Sequence, residues 1–448
     1  MKKFVSILLA VVMVISLSAC GTSNKPADQS KEQSKAEEKK ATEDNKPAAE
    51  KKKISLWHIQ VAKSTGEVVN DAVARFMKDN PDVEVENVAS ENDPYKTKLK
   101  VAMGSGNPPD VFHSWGGGWL EAFVKEGMVE DITADLDKGG WRDTFYQAYL
   151  DMAKFNGKNY GVPAEMSSVL VYYNKELFKK YNIEVPKTYE EFKKAIKTLK
   201  DNNIIPIAIG NKSRWPGALT FIYLSMRIGG YDVFQNAYQR KPGFTFEDPS
   251  FIEAGKKIQE LVDMGAYPEG MNGINYDTGG SRMLIYTGKA AMIIQTSGFL
   301  SFAKSEAPDF FNNNLGFFPF PAVEGGKGDP TDIVGGVNAY SVSSKTKHRD
   351  AAVTLLKYLS DKTYGQMMTD NAARLSPVHG IEIKDPMQKE LAAILSKAKH
   401  VQLYYDQFLP PELGELHKDT TQALFGKTIT PEEAAKKMEE KAKQVFGK

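Results

Sequence analysis

A single cysteine, Cys20, serves the whole chain of 448 residues. One thiol can form neither an intrachain disulfide nor a CxxC site. Histidine is scarce too: there are six, none in an HExxH arrangement, which argues against a zinc enzyme. Charge of one sign is missing, since 58 Lys and Arg face 57 Asp and Glu. The net charge of +1 gives no basic field for nucleic acid and suits an uncharged ligand. No GxSxG elbow occurs. "FGKT" (Phe425–Thr428) looks like the close of a phosphate loop, but Thr421 stands where the first glycine is needed. "MGSGNPPD" is not GxGxxG, and "GGGWLE" puts Glu121 in the last glycine position. Among so many acids no glycosidase pair can be singled out. No catalytic residue, metal or cofactor is expected.

What is present begins at the N-terminus. Lys2 and Lys3 precede "FVSILLAVVMVISL", an apolar run too short for a comfortable membrane span. "LSAC" (Leu17–Cys20) then resembles a bacterial lipobox, with residues 1–19 as the signal peptide and Cys20 as the lipidated residue. Residues 21–53 contain no aromatic or branched aliphatic side chain. Such a stretch buries too little apolar surface to offset its ordering entropy, so residues 20–53 are expected to form a disordered tether. The lipid would hold the body at the extracellular face of the cytoplasmic membrane of a Gram-positive-type bacterium.

Order is expected from Ile54. "KISLWHI" reads as a strand, and a helix follows from Thr65 to Lys78 with Val69, Val73 and Phe76 on one face. "DVEVENV" alternates with period two, a helix spans Tyr95 to Met103, and "PPDVFHS" supplies a third strand. This β-α-β-α-β order predicts a mostly parallel sheet, whose ligands sit beyond the carboxyl ends of the strands. Further on, Thr188 and Glu191 form a capping box ahead of Phe192, Ile196 and Leu199. "IIPIAI" and "KAAMIIQT" read as buried strands. "DPSFIEAGKKIQELVDMGAY" reads as a helix closed by Gly265, "DAAVTLLKYLSD" as another, and Thr430 with Pro431 starts the last. Two α/β lobes fit this pattern.

Aromatic and polar residues gather at the predicted loop ends. They include Trp57 and His58, Trp115 and Trp119, Trp215, Phe299, and Tyr404 with Tyr405 and Phe408. A sugar ring stacks its C–H face on aromatic rings and offers hydroxyls to polar side chains. Each tryptophan has a competing reading as core.

"PPDVFHSWGGGWLEAFVKEGMVEDIT", "FNGKNYGVPAEMSSVLVYYNKELFKKYNIEVPKTYEEF", "YTGKAAMIIQTSGFL", "LGFFPFP", "GGVNAYSVSSKTKHRDAAVTLLKYLSD" and "NAARLSPVHG" carry a resemblance. In order and spacing they are similar to the solute-binding proteins of ABC importers, in the branch that handles maltose and other oligosaccharides. The resemblance implies an α/β, two-lobe periplasmic-binding-protein-like fold with an interlobe ligand cleft and hinge. Lobe one would take 54–164 and 321–362, and lobe two 168–316 and 366–448. It also implies a monomer that hands an oligosaccharide to permease subunits.

Carried over by position, the candidate contacts are Trp57, His58 and Gln60 at the first strand end, and Ser114, Trp115 and Gly116 in the glycine loop. Glu165 and Ser167 follow the proline of "GVPAEMSS"; the carboxylate is displaced from the maltose-type spacing. Arg214 and Trp215 lie after "IAIG", Gln295 and Phe299 after "AAMII", and Asn338 by a crossing segment. Arg374, Tyr404 and Tyr405 approach from the second lobe. Gly335 and Gly336 read as backbone requirements, and Trp119 as packing. The glycines of "HSWGGGWL" are expected to let a sugar come close to Trp115. Xylo-oligosaccharides rank first as ligand, then malto- or raffinose-type sugars, a polyamine or a glycerophosphodiester. A secreted glycoside hydrolase is the reading from another class.

Overall fold

The computed structural model describes residues 51–447, so the expected signal segment, Cys20 and nearly all of the tether lie outside the described residues. The first strand, β1 (Lys52–His58), buries Ile54, Leu56 and His58 on one face. Helix α1 (Lys63–Asp79) covers it through Val69, Val73 and Phe76. Strand β2 (Val83–Ala89) and, after helix α2 (Asn92–Gly104), strand β3 (Val111–Ser114) flank β1, both parallel to it. The βαβαβ expectation holds here.

Two long strands then join the lobes. β4 (Val162–Asn174) pairs antiparallel with a later strand through Ser168, and from Val169 onward with the second lobe's strands. That second lobe supplies β5 (Ile205–Ala208), β6 (Ala290–Thr296) and β7 (Leu315–Phe318). The later strand, β8 (Ile333–Val342), pairs with β3 through Ala339–Val342 and with β9 (Val401–Leu403) through Ile333–Gly335. The order β2-β1-β3-β8-β4-β6-β5 therefore runs continuously from one lobe into the other. β4 and β8 cross together, and their register slips between Asn338 and Ala339. Gly335 is required at this crossing: a Cβ there would lie 2.5 Å from the Ser167 carbonyl oxygen.

The helices of the second lobe form where the local signals put them. Thr188 and Glu191 make the capping box of α4 (Tyr189–Asp201), whose Phe192, Ile196 and Leu199 enter the core. Helix α5 (Trp215–Gly229) and helix α6 (Pro249–Asp263) pack beside it, and Gly265, at φ +68°, turns the chain after α6. Helix α7 (Gly298–Glu306) follows β6. Helix α8 (Arg349–Tyr358) stops short of the predicted end at Asp361, and α9 (Lys362–Ala372) begins anew with Asp361 as N-cap. Helix α10 (Pro411–Phe425) and helix α11 (Pro431–Phe446), the latter capped by Thr430 with Glu433, close the chain.

Residues Phe320, Asp329 and Pro330 offer their carbonyls to the buried Arg227 of α5, so the chain stays with the second lobe until β8. Conversely Tyr364, Met368 and Ala372 of α9, with Val378, pack in the first core against α1, because their apolar face continues that of α8. Among the described residues no helix is long and apolar enough to cross a membrane.

The loop "HSWGGGWL" also differs from expectation. Its glycines make room for the chain itself. A Cβ on Gly116 would lie 2.3 Å from the Met152 carbonyl oxygen, and one on Gly118 would lie 2.3 Å from that of Phe408. Helix α3 (Gly117–Lys125) thus seats its first turn against the Leu403–Leu409 segment. Replacing Gly118 by alanine should lower stability by about 2 kcal/mol, since backbone must move to admit the methyl. Chemical denaturation would measure it, and an unchanged midpoint would mean that the segment yields freely.

Candidate functional site

The cleft lies where parallel strands end. Gln60 follows β1, Trp115 follows β3, Trp215 follows β5 after a loop, and Thr296 closes β6; all four line a cavity of about 930 Å³ including its open mouth. The crossing strands add Ser167 and Asn338, and the second lobe adds Tyr404 and Phe302.

Trp115 is only 3% exposed. Its ring meets the edges of His113, Trp119 and Tyr95 at centroid distances of 4.8, 4.9 and 5.9 Å. The Lys96 ammonium sits 4.6 Å from its centroid. Trp215, the first residue of α5, is half-buried and leans edge-on against Tyr276 at 5.2 Å. Of the two indoles it offers more surface to the cleft.

The charges lining the cleft are mostly paired. Lys96 Nζ lies 2.8 Å from Asp406 Oδ2, with both side chains about nine-tenths covered. Burial opposes ionisation of both groups, yet their attraction prevails: Lys96 is held above its usual range and Asp406 below its own. Arg374 Nη1 lies 3.4 Å from Glu165 Oε2, and its Nε donates to Ser301 Oγ at 2.7 Å. Asp277 is the exception. Ser213 Oγ donates to it at 3.0 Å, and burial, with Asp93 and Glu91 nearby, pushes its carboxyl up to about 6. Among the described residues no cluster of three or more His, Cys, Asp or Glu is arranged to hold a metal.

The sequence profile described as "Bacterial extracellular solute-binding protein" matches residues 62–366. The chain belongs to that family. A solved structure from work on xylan utilisation by Caldanaerobius polysaccharolyticus is 33% identical, with a TM-score of 0.82, over 87% of this chain and 99% of that one. A chitin oligosaccharide binding protein is 26% identical, TM-score 0.81, over 89% and 100% of the two chains. The galactooligosaccharide-binding protein of Bacillus subtilis (strain 168) is 26% identical over 435 residues, 94% of this chain and 91% of that protein. The chain is an extracellular solute-binding protein of the two-lobe fold, and the relatives named here are binding proteins.

Within this solute-binding protein, Gln60, Trp115, Ser167, Trp215, Asn338, Arg374 and Tyr404 come together around the cleft. The other expected contacts do not line it. Trp57 points from the opposite face of β1, with the Lys98 ammonium 3.8 Å from its ring centroid. His58 is buried, bonding Asn87 Oδ1 through Nε2 and accepting from the Gln60 amide at Nδ1. Ser114 bonds Ser341, and Gly116 turns the chain at φ +69°. Glu165 is fully buried beneath the cleft. Arg214 is held by Glu415 and Asp419, and Gln295 accepts from the Thr296 amide. Phe299 packs between Tyr172 and Tyr286, and Tyr405 stacks on Phe234 at 3.7 Å.

Near two of the expected positions, neighbouring residues line the cleft. Phe302, one turn after Phe299, faces the cleft, and at "LYYDQF" both tyrosines enter the second core, with Tyr404, Asp406 and Gln407 also lining the cleft and Tyr405 not. Lys96, Asp277 and Tyr276 had no sequence signal of their own. They reach the cleft from the first turns of α2 and from an irregular loop before Gly280.

Proposed function

We propose that the protein captures an oligosaccharide, a xylo-oligosaccharide first, between its lobes and delivers it to the permease of an ABC importer. A lipid on Cys20 would anchor the chain outside the cytoplasmic membrane, and the working form is a monomer. The division into lobes proposed from the packing is residues 54–168 with 339–378, and 169–338 with 379–447.

One observation carries the reading of the ligand. The cleft combines aromatic surface from Trp215, Phe302 and Tyr404 with charges cancelled in pairs, Lys96 by Asp406 and Arg374 by Glu165. Such a surface accepts a neutral, amphipathic ring with hydroxyls at its rim. A polyamine would need several free carboxylates, and Asp277 is the one lining carboxylate without a basic partner within 4 Å among the described residues. A glycerophosphodiester would need a free cation, and both lining cations are engaged.

A thermal-shift screen of the full chain tests this. A ligand at 100 times its Kd adds about 2.7 kcal/mol to the folded state. Xylo-oligosaccharides should raise the melting temperature more than malto- or raffinose-type sugars. Spermidine and glycerophosphocholine should leave it unchanged, and no sugar should be shortened during the incubation. Stabilisation by spermidine alone would reject the sugar reading, and cleavage products would make the protein a hydrolase.

A further inference from the structure

Glu165 sits at the middle of the crossing strands, opposite Asn338 in register and beside the slip between Asn338 and Ala339. Its side chain is fully buried, and three groups converge on the carboxylate. Gln60 Nε2 donates to Oε1, Asn338 Nδ2 donates to Oε2 at 3.3 Å, and Arg374 Nη1 pairs with Oε2 at 3.4 Å. Each of these partners lines the cleft, whereas Glu165 does not. They come from different parts of the chain: the end of β1, strand β8 and the stretch after α9.

A carboxylate buried this deeply is costly unless its charge and lone pairs are met. Here they are met by side chains whose other faces border the ligand space. Removing the anion would leave Arg374 without its carboxylate and free the Gln60 and Asn338 amides to rotate, all at once. The arrangement also ties these groups to β4 and β8, the strands about which the lobes must bend. We infer that Glu165 is a positioning residue, which orients Gln60, Asn338 and Arg374 toward the sugar and sets affinity without touching it. This inference rests on the sugar-binding reading above.

Affinities of E165Q, R374M and E165Q/R374M, measured by calorimetric titration with the sugar that stabilises the wild type, test it. Each single variant should bind about 30-fold more weakly, as expected for losing hydrogen bonds to a charged group. The double variant should lose no more than about fivefold beyond R374M, the part of the effect that Glu165 exerts through Gln60 and Asn338. A further loss of about 30-fold in the double variant would overturn the inference, since the residues would then contribute independently. If E165Q fails to fold with Arg374 left unpaired, R374M against E165Q/R374M gives the same comparison, the latter carrying neither charge.

E165D separates positioning from bulk structure. It keeps the anion but withdraws it by a methylene, so its melting temperature without sugar should recover toward wild type while affinity stays at least about tenfold low. Affinity that recovers together with stability would reduce Glu165 to a structural residue. A wild type that binds none of the sugars would overturn the ligand reading itself, a failure seen before any variant is compared.

Discussion

Trp215→Ala should weaken sugar binding about 100-fold and leave the unliganded protein near wild-type stability, whereas Trp115→Ala should cost the fold about 4 kcal/mol. The two indoles both border the cleft, but their surroundings differ. Trp215 heads α5 with part of its surface uncovered and a single ring, Tyr276, at its edge. Truncating it removes aromatic surface from the cleft and, from the two cores it borders, only a half-buried edge. Trp115 is wedged among Tyr95, His113 and Trp119, with Lys96 over its face. Its loss opens a cavity in the first lobe and removes a cation–π partner from the Lys96–Asp406 pair. Calorimetric titration and urea unfolding of both variants measure the two quantities separately. Unchanged affinity in Trp215→Ala would remove it from the site. Trp115→Ala with normal stability and no binding would make Trp115 the platform instead.

Acidification from pH 7 to pH 4 should cost the fold several kcal/mol. His58 and His417 are each pulled from 6.5 to about 4, chiefly by burial. Both are therefore neutral in the folded protein near neutrality, while the unfolded chain begins to take up protons as pH falls through 6.5. Their contribution is fully present above pH 6.5 and is lost on descending toward 4, about 3 kcal/mol for each. His113 is also held well below its usual range, first by burial and then by His58, Lys96 and Arg374, and acts in the same direction. Asp277 opposes them. Its folded value of about 6 lies above 3.8, so the folded protein binds this proton first and regains about 3 kcal/mol between pH 6 and 4. Two or three histidines outweigh one carboxyl, and the net effect is loss. Urea unfolding across this range reads it directly; a flat profile from pH 7 to 5 would mean that these imidazoles keep access to water.

The sequence was most legible where one local rule governs. The βαβαβ opening, the capping box at Thr188, the N-cap at Thr430 and the turn at Gly265 depend on neighbours within a few residues, and all formed as read. The cleft itself was legible at the level of loops, because ligand space lies beyond the strand ends whatever the side chains are. Choosing side chains within a loop was harder. Tyr404 and Tyr405 are adjacent and chemically alike, yet one bonds Ser167 at the cleft and the other stacks on Phe234 in the core. Which tyrosine turns inward is decided by Phe234, a residue far away in sequence. Glu165 is a candidate contact by position alone, as it follows the proline of "GVPAEMSS". Only the tertiary arrangement shows its lone pairs already taken by Gln60, Asn338 and Arg374. The glycines of "HSWGGGWL" did signal close approach, but the approaching backbone is that of Met152 and Phe408.

The crossing of β4 and β8 has a consequence for how a nascent chain becomes this protein. β3 emerges early with its outer edge unpaired, and that edge waits for Ala339–Val342 of β8. The first core waits longer still, until Met368 and Ala372 arrive to cover α1. The second lobe's strands β5, β6 and β7 and its half of β4 all lie between Val169 and Phe318, so this part of its sheet can pair before β8 is made. Neither lobe can close early: the first needs Met368 and Ala372, and the second core needs Leu424, Met438 and Ala442 near the chain's end. For most of its elongation the N-terminal lobe is an unfinished sheet with a sticky edge, prone to pair with whatever strand it meets first.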